Sequence, residues 1–291
     1  MIQRRTESIL ICRPLIFLVS FAVTEERKGS LIMFKRLILV AVLALYLMFL
    51  STEIIDFSEA KGLKDSAVAA WSFDGNFKDM TANGHDGEKM GKTKFVDGKF
   101  GKAISLSGKG DGVTTPELPE MDEVTVAHWS KCTGRIGAWR VWINVDGWQK
   151  GAVHHQLYPG NQIGWSIHTN TPTDIHAKAT LINDTQKDKW VHIAIVYSAP
   201  QKNVKFYING VLENEGKYTA VGPAILGPAR IGSWDGGGRD YEGEIDEFVI
   251  FDSILEEKDV QTLIDKGLDE IWSVEPGNKV TTIWGSIKGR N

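Results

Sequence analysis

Between residues 68 and 251, apolar and polar side chains alternate with a period of two, in short runs rich in aromatic and β-branched residues. That period belongs to strands with one buried face, because successive side chains of an extended chain point to opposite sides. The clearest runs are residues 68–73, 103–106, 124–129, 140–145, 191–197, 204–208 and 244–251, with Gly, Asn, Asp and Pro punctuating the gaps. Asn209-Gly210 is the strongest single turn signal, since a two-residue type I′ hairpin needs positive φ at both centres. Helical spacing occurs at residues 255–268, where Leu255, Val260, Leu263 and Ile264 share one side and Gly267 is a stop signal. One short helix after many strands predicts an all-β sandwich or barrel.

The N-terminus follows a different pattern. Met33-Phe34-Lys35-Arg36 is basic, residues 37–50 are an unbroken apolar run, and a polar stretch then ends in Ser58-Glu59-Ala60. This is the order of an export signal, with cleavage expected near Ala60. The apolar run is shorter than the roughly 20 residues that span a bilayer core, so membrane contact is expected only through an uncleaved signal segment. A second apolar patch, residues 14–23, precedes the charged Glu25-Glu26-Arg27-Lys28, and Met33 is the expected translation start. The alternative is a two-part leader or a membrane hairpin. The chain thus divides into a leader at 1–60, a β domain at 61–270 and a tail at 271–291, in which Pro276-Gly277 and a short β-like run carry no evident chemistry.

Charge and cysteine content narrow the function classes. The formal net charge is −4 and the basic residues are scattered, which removes nucleic acid as an expected partner. Of the two cysteines, Cys12 lies in the leader, so Cys132 has no intrachain partner and is read as a buried small hydrophobe.

Several pieces carry a more specific signal in their order. Ala70-Trp71-Ser72-Phe73-Asp74 opens the domain, and residues 79–87 follow as an Asp/Asn/Gly loop in which Met80-Thr81-Ala82 replace the usual small residues. Residues 98–106, Thr125-Val126-Ala127-His128-Trp129, residues 189–194, residues 205–210, Arg230-Ile231-Gly232, residues 241–251 and the helical segment come after them. Together they resemble the laminin-G-like jelly-roll domain of the concanavalin A-like lectin and glucanase superfamily over residues 65–269. The resemblance implies an all-β, two-sheet antiparallel jelly-roll β-sandwich with one short C-terminal helix. It also implies an extracytoplasmic protein whose partner is a carbohydrate or an extracellular protein.

The resemblance further implies calcium between the loop after the opening strand and the penultimate strand. Asp74 and Asp246 match that position best, with Asp79, Asn76 and Asn83 as loop donors. Carboxylates and carbonyls suit a hard cation that takes six to eight oxygens, and the same residue types equally serve as turn and capping residues. The superfamily also contains glycosidases with E-x-D-x-E or E-x-D-x-x-E on one strand, and Glu244-Ile245-Asp246 is similar to the first half. Positions 248 and 249 are Phe248 and Val249, however, and retaining hydrolysis needs a second carboxyl group about 5 to 5.5 Å from the first. The expectation is therefore no enzyme. The histidines form no metal motif, and His154 and His155 are expected on opposite faces of one strand.

Two segments are candidates for ligand binding. If residues 139–145 form a strand, alternation places Trp139, Val141, Ile143 and Val145 on a core-like side and Arg140, Trp142 and Asn144 on the other. Paired with a returning strand, this second set joins His154 and Gln156 on an open face, with Ser166 and His168 beside them. Aromatic faces pack on pyranose C–H groups, while amide and guanidinium groups bond hydroxyls. The glycine-rich loop 234–241 adds Trp234 and Arg239 at its ends, and it lacks the G-K-[ST] ending of a phosphate loop. The expected function is a secreted, non-catalytic module that binds carbohydrate; a structural or adhesion domain and a divergent glycoside hydrolase are the alternatives.

Overall fold

A computed structural model describes residues 62–273 apart from 136, 170–174 and 182–185, together with Ile38, and for 175–181 gives the backbone alone. The expected leader and most of the tail lie outside the described residues. No helix among the described residues is long and apolar enough to cross a membrane.

A single helical turn, α1 (Leu63–Ser66), leads into β1 (Ala67–Trp71), β2 (Glu88–Met90), β3 (Lys94–Asp97), β4 (Lys102–Ser107) and β5 (Gly112–Thr115). The long β6 (Glu123–Cys132) precedes β7 (Arg140–Val145), β8 (Val153–Leu157), β9 (Gln162–Ile167) and β10 (Ile175–Leu181). Then come β11 (Val191–Ser198), β12 (Asn203–Ile208), β13 (Val211–Lys217), β14 (Ala229–Ile231), β15 (Glu242–Phe251) and α2 (Glu257–Trp272).

Among the described residues these strands form two antiparallel sheets. The first runs β13-β12-β11-β6-β15-β4-β3, with β1 joined to the second half of β15, and the second runs β10-β9-β8-β7-β14-β5-β2. Runs of consecutive hairpin strands are joined by pairings distant in sequence, as in β6 beside β15 and β7 beside β14, and this is a two-sheet jelly-roll sandwich. The expected Asn209-Gly210 hairpin joins β12 to β13 with φ of 49° and 83°.

The interior is built by alternation: Val124, Val126 and His128 of β6, Ile193, Ile195 and Tyr197 of β11, and Val153, His155 and Leu157 of β8 are all buried. Among several register irregularities in the described strands, those on β7 and β15 re-aim large side chains. On β7, Val141 pairs Gln156 and Ile143 pairs His155, so Trp142 is the extra residue. On β15, Asp246 pairs Trp129 and Val249 pairs Ala127, and Glu247 takes a φ of 55° within the irregularity. Both bulges send an aromatic ring into the same place between the sheets. The Phe248 ring stacks on His128 at 5.2 Å, and Trp142 lies 5.5 Å from His128 and 4.7 Å from His155.

The two histidines bridge the sheets directly. His155 Nδ1 donates to the Gly164 carbonyl at 3.0 Å, which leaves Nε2 of the neutral ring as an acceptor for His128 Nε2–H at 3.1 Å. Burial pushes the pKa of His128 well below its ordinary value, His155 down to about 4 and the buried His192 down to about 3.

The outer side of the first sheet is covered by α2, through Val260, Leu263 and Leu268 against Ala127, Ala194 and Val249. Its start is a capping box between Glu256 and Asp259, and Gly267, the expected stop, takes φ 69° at a kink before the chain continues to Trp272. Cys132 is free and buried, and burial pushes its thiol pKa up.

A histidine held neutral in the fold but titrating near 6.5 when unfolded costs stability as pH falls, because the unfolded chain takes up the proton first. The contribution of His155 is complete above about pH 6.5 and is lost toward pH 4. We expect wild type to lose more thermal stability than His155→Gln between pH 7 and pH 4, whatever their offset at pH 7, as read by circular-dichroism melts. Equal losses would remove His155 from the acid response.

Candidate functional site

The β7 bulge decides what the second sheet shows on its outer side. Residues that pair across strands share a face, so Asn144, opposite His154, and Gln156, opposite Val141, lie on the side away from the inter-sheet core, but that side is not the open face expected: Asn144, His154, Gln156 and Ser166 are all buried. Two residues expected with them do not lie on that side. Trp142 is fully buried, donates from Nε1 to Ser130 Oγ at 2.8 Å and belongs to the inter-sheet core, because the extra residue of the bulge inverts the alternation at that point. Arg140 pairs with Leu157 on the core-facing side, and its guanidinium reaches Glu242 of the other sheet at 3.7 Å. Trp139, expected in the core, instead lies half-buried just before β7, its ring 4.5 Å from that of Tyr158.

The outer face is organised as a row of rings. Tyr158 meets Trp139, and the Arg239 guanidinium lies 4.4 Å from the Trp139 ring and 4.3 Å from the Trp234 ring. Trp234 meets His154 edge-on at 4.6 Å, His154 meets Trp148 at 4.1 Å, and Trp148 stacks on His168 at 5.0 Å. His168 also lines a concavity of about 370 Å³ with Glu120, Lys150, Thr169, Pro223 and Ile225. Polar groups lie along the row: Gln156 Oε1 accepts from Arg239 Nη1 at 3.3 Å, and Tyr158 Oη bonds Ser166 Oγ at 2.6 Å. The expected set Asn144, His154, Gln156, Trp234 and Arg239 is therefore brought together, with Ser166 and His168 beside it. Trp139, Trp148 and Tyr158 complete it.

Local chemistry fixes each ring. Asp240 staples the two ends of the glycine-rich loop, its Oδ1 accepting from Ser233 Oγ and Trp234 N and its Oδ2 from Gly110 N. Asp235 accepts from Asn144 Nδ2 and Gly147 N, tying the loop to the β7–β8 turn that carries Trp148. A Cβ on Gly236 would lie 2.6 Å from Trp234 Nε1, and one on Gly164 would lie 1.9 Å from Tyr158 Cε2. Glycine at these two positions lets the rings lie against backbone.

The three carboxylates expected at a metal separate into two environments. Asp79 accepts from Ala70 N and Thr81 N on one oxygen and from Thr81 Oγ1 and His85 N on the other, and so braces its loop against β1. Asn83 Nδ2 does the same through the carbonyls of Ala67 and Val68. Asp246 is buried on the other side of β1, accepting from Lys99 N, Phe100 N and Glu247 N, while Asp74 accepts from Lys102 N. Burial, with Asp74 nearby, raises the Asp246 pKa to about 7; Glu247, also buried, is raised to about 8. Glu247 Oε1 has no hydrogen-bond partner among the described residues, and none of their His, Cys, Asp and Glu side chains gather in threes as a metal site. Asp74 and Asp246 carry oxygen donors of the type a hard cation takes, but no third acidic side chain among the described residues converges with them, and Asp79 lies in its own loop. Glu244 is paired with Lys131 at 2.8 Å, and Phe248 and Val249, where a second glycosidase carboxylate would fall, are buried apolar residues.

Sheet order defines a two-sheet jelly-roll sandwich. The chain belongs to the concanavalin A-like lectin/glucanases superfamily, whose laminin-G model matches residues 107–261, more than half of its length. No curated protein matches the sequence. Among solved structures, the chain is similar to the binding domain of Paraclostridial Mosquitocidal Protein 1, with a TM-score of 0.59 and 19% identity over 69% of this chain and 52% of that one. It thus spans about half of that domain's length. Domain 4 of AbnA, a GH43 extracellular arabinanase from Geobacillus stearothermophilus solved with arabinotriose, matches with a TM-score of 0.55 and 23% identity over 68% of this chain and 98% of that one. The botulinum neurotoxin serotype D ligand binding domain, solved with N-acetylneuraminic acid, matches with a TM-score of 0.57 and 16% identity over 69% of this chain and 50% of that one.

The two classes of tryptophan are separable by stability. Trp142→Ala is expected to lower the unfolding free energy by about 3–5 kcal/mol, and Trp234→Ala, half-buried at the surface, by less than half as much. Denaturant unfolding of both variants checks this; equal costs would contradict the assignment of Trp142 to the core and Trp234 to the outer face.

Proposed function

We propose that this chain is an extracytoplasmic, non-catalytic module that binds carbohydrate along the ring-bearing outer face of its second sheet. The observation that carries the proposal is the continuous row Tyr158, Trp139, Arg239, Trp234, His154, Trp148 and His168, with consecutive members 4.1 to 5.0 Å apart. Sugar rings present alternating apolar C–H faces and hydroxyl edges. Indole faces match the former and the half-buried Arg239 guanidinium supplies donors for the latter, while the buried Gln156, Ser166 and Tyr158 brace the row through their own hydrogen bonds. Export rests on the order of residues 33–60, and the apolar Phe248 and Val249 at the positions where the glycosidase motif places its second carboxylate support a non-catalytic role. The arabinotriose complex of AbnA domain 4, nearly all of which this chain spans, adds support to a glycan partner.

Trp234→Ala and Trp148→Ala are each expected to weaken binding of oligosaccharide hits from a glycan array about tenfold, which corresponds to roughly 1.4 kcal/mol. Titration calorimetry measures the loss. Wild-type protein binding no glycan would move the assignment to an adhesion domain, a reading favoured by Val211 and Leu212, exposed at 57% and 44% on the edge strand β13.

Calcium is proposed as a structural support held by Asp74 and Asp246. Millimolar calcium is expected to raise the thermal midpoint of chelator-treated protein, and Asp246→Asn is expected to abolish the rise. An unchanged midpoint on adding calcium would remove the ion from this site.

A further inference from the structure

From the setting of Arg239 we infer that the glycan bound on this face is acidic, carrying a carboxylate or sulfate that pairs with the Arg239 guanidinium. This rests on the carbohydrate reading above and names its ligand class. Three arginines are half-buried among the described residues: Arg140, Arg230 and Arg239. Arg140 has Glu242 at 3.7 Å, and Arg230 holds Asp146 through both oxygens from 2.7 Å. Arg239 has no carboxylate partner among the described residues; its one hydrogen-bond acceptor there is the neutral Gln156 amide. The neighbouring carboxylates are committed elsewhere, Asp240 to Ser233, Trp234 and Gly110, and Asp235 to Asn144 and Gly147.

Withdrawing a cation from water without a counter-charge is unfavourable, and the rings of Trp139 and Trp234 offset part of that cost through cation–π attraction. They also pack against the guanidinium, whose in-plane N–H donors meet no acceptor among the described residues other than Gln156. A planar fork of donors matches the oxygens of a carboxylate or sulfate in a bidentate way, which a hydroxyl cannot reproduce. The fork lies in the row between the rings of Trp139 and Trp234, on which the flanking sugars would pack. A neutral oligosaccharide would leave this charge uncompensated in the complex, and an acidic one would neutralise it.

The test is an array of matched triplets, each oligosaccharide presented as its neutral, uronate and O-sulfated form, followed by calorimetry on the hits. The expected result is that at least one acidic form binds about tenfold or more tightly than its neutral counterpart, with a preference that shrinks at high salt. The uronate and sulfate arms tell which anion is preferred. In Arg239→Gln the acidic-to-neutral ratio is expected to approach one, and in Arg239→Lys to fall between, since charge remains but the fork is lost. Equal binding of neutral and acidic forms by wild type would overturn the inference and leave the carbohydrate reading standing. So would an acidic preference that persists in Arg239→Gln. Failure of every form to bind would overturn both. The wild-type ratio decides even where a variant loses all binding, and melts of each variant separate lost folding from lost recognition.

Discussion

The β-bulge at Trp142 is the constraint on which the rest of this molecule depends. One extra residue in β7 places Trp142 and Ile143 both on the inner side, where Trp142 closes the layer of His155, His128 and Phe248 between the sheets. The same insertion keeps Asn144 in register with His154 and Val141 with Gln156, so the outer side is left polar. A sheet that buries its largest ring on one face is then free to hold smaller polar groups on the other. Over these the rings of Trp139, Trp148 and Trp234 are laid from flanking turns rather than from the strands themselves. Core and ring-bearing outer face are two consequences of one local irregularity.

A second bulge, at Glu247, has a parallel effect on the opposite sheet. It turns Phe248 inward onto His128 and leaves Asp246 and Glu247 on the side covered by the 98–102 turn and α2. Both carboxyl groups are pushed toward their neutral forms by burial, which sets that corner apart from Asp79, whose oxygens are saturated by donors of its own loop. A structural cation and a sugar face would thus occupy opposite sheets, each positioned by its own bulge.

Much of this was legible in the sequence, and the rest was hidden for a physical reason. Seven runs of period two are strands, the Asn209-Gly210 turn is a hairpin, Gly267 ends the first part of the helix, and His154 and His155 face opposite ways. The short strands β2, β3, β5 and β14 were not legible, because three or four residues carry too little alternation to register. Trp142 was assigned to the wrong face because alternation counts residues, and a bulge changes the count without changing composition. The ring row was half legible: Trp234 and Arg239 stood out at the ends of a glycine-rich loop, while Trp148 sat unnoticed just after the Asp146-Gly147 turn that positions it. A strand that reads apolar on both sides around an aromatic residue, as residues 141–143 do, is the signal that would have pointed to the bulge.

The most direct measurement of the central claim is a heteronuclear NMR titration that follows the tryptophan indole N–H signals while an oligosaccharide hit is added. Binding along the outer face predicts that the signals of Trp139, Trp148 and Trp234 shift together, while those of Trp71, Trp142 and Trp165 stay in place. Shifts confined to the buried set, or spread equally over both, would contradict a site on the outer face of the second sheet.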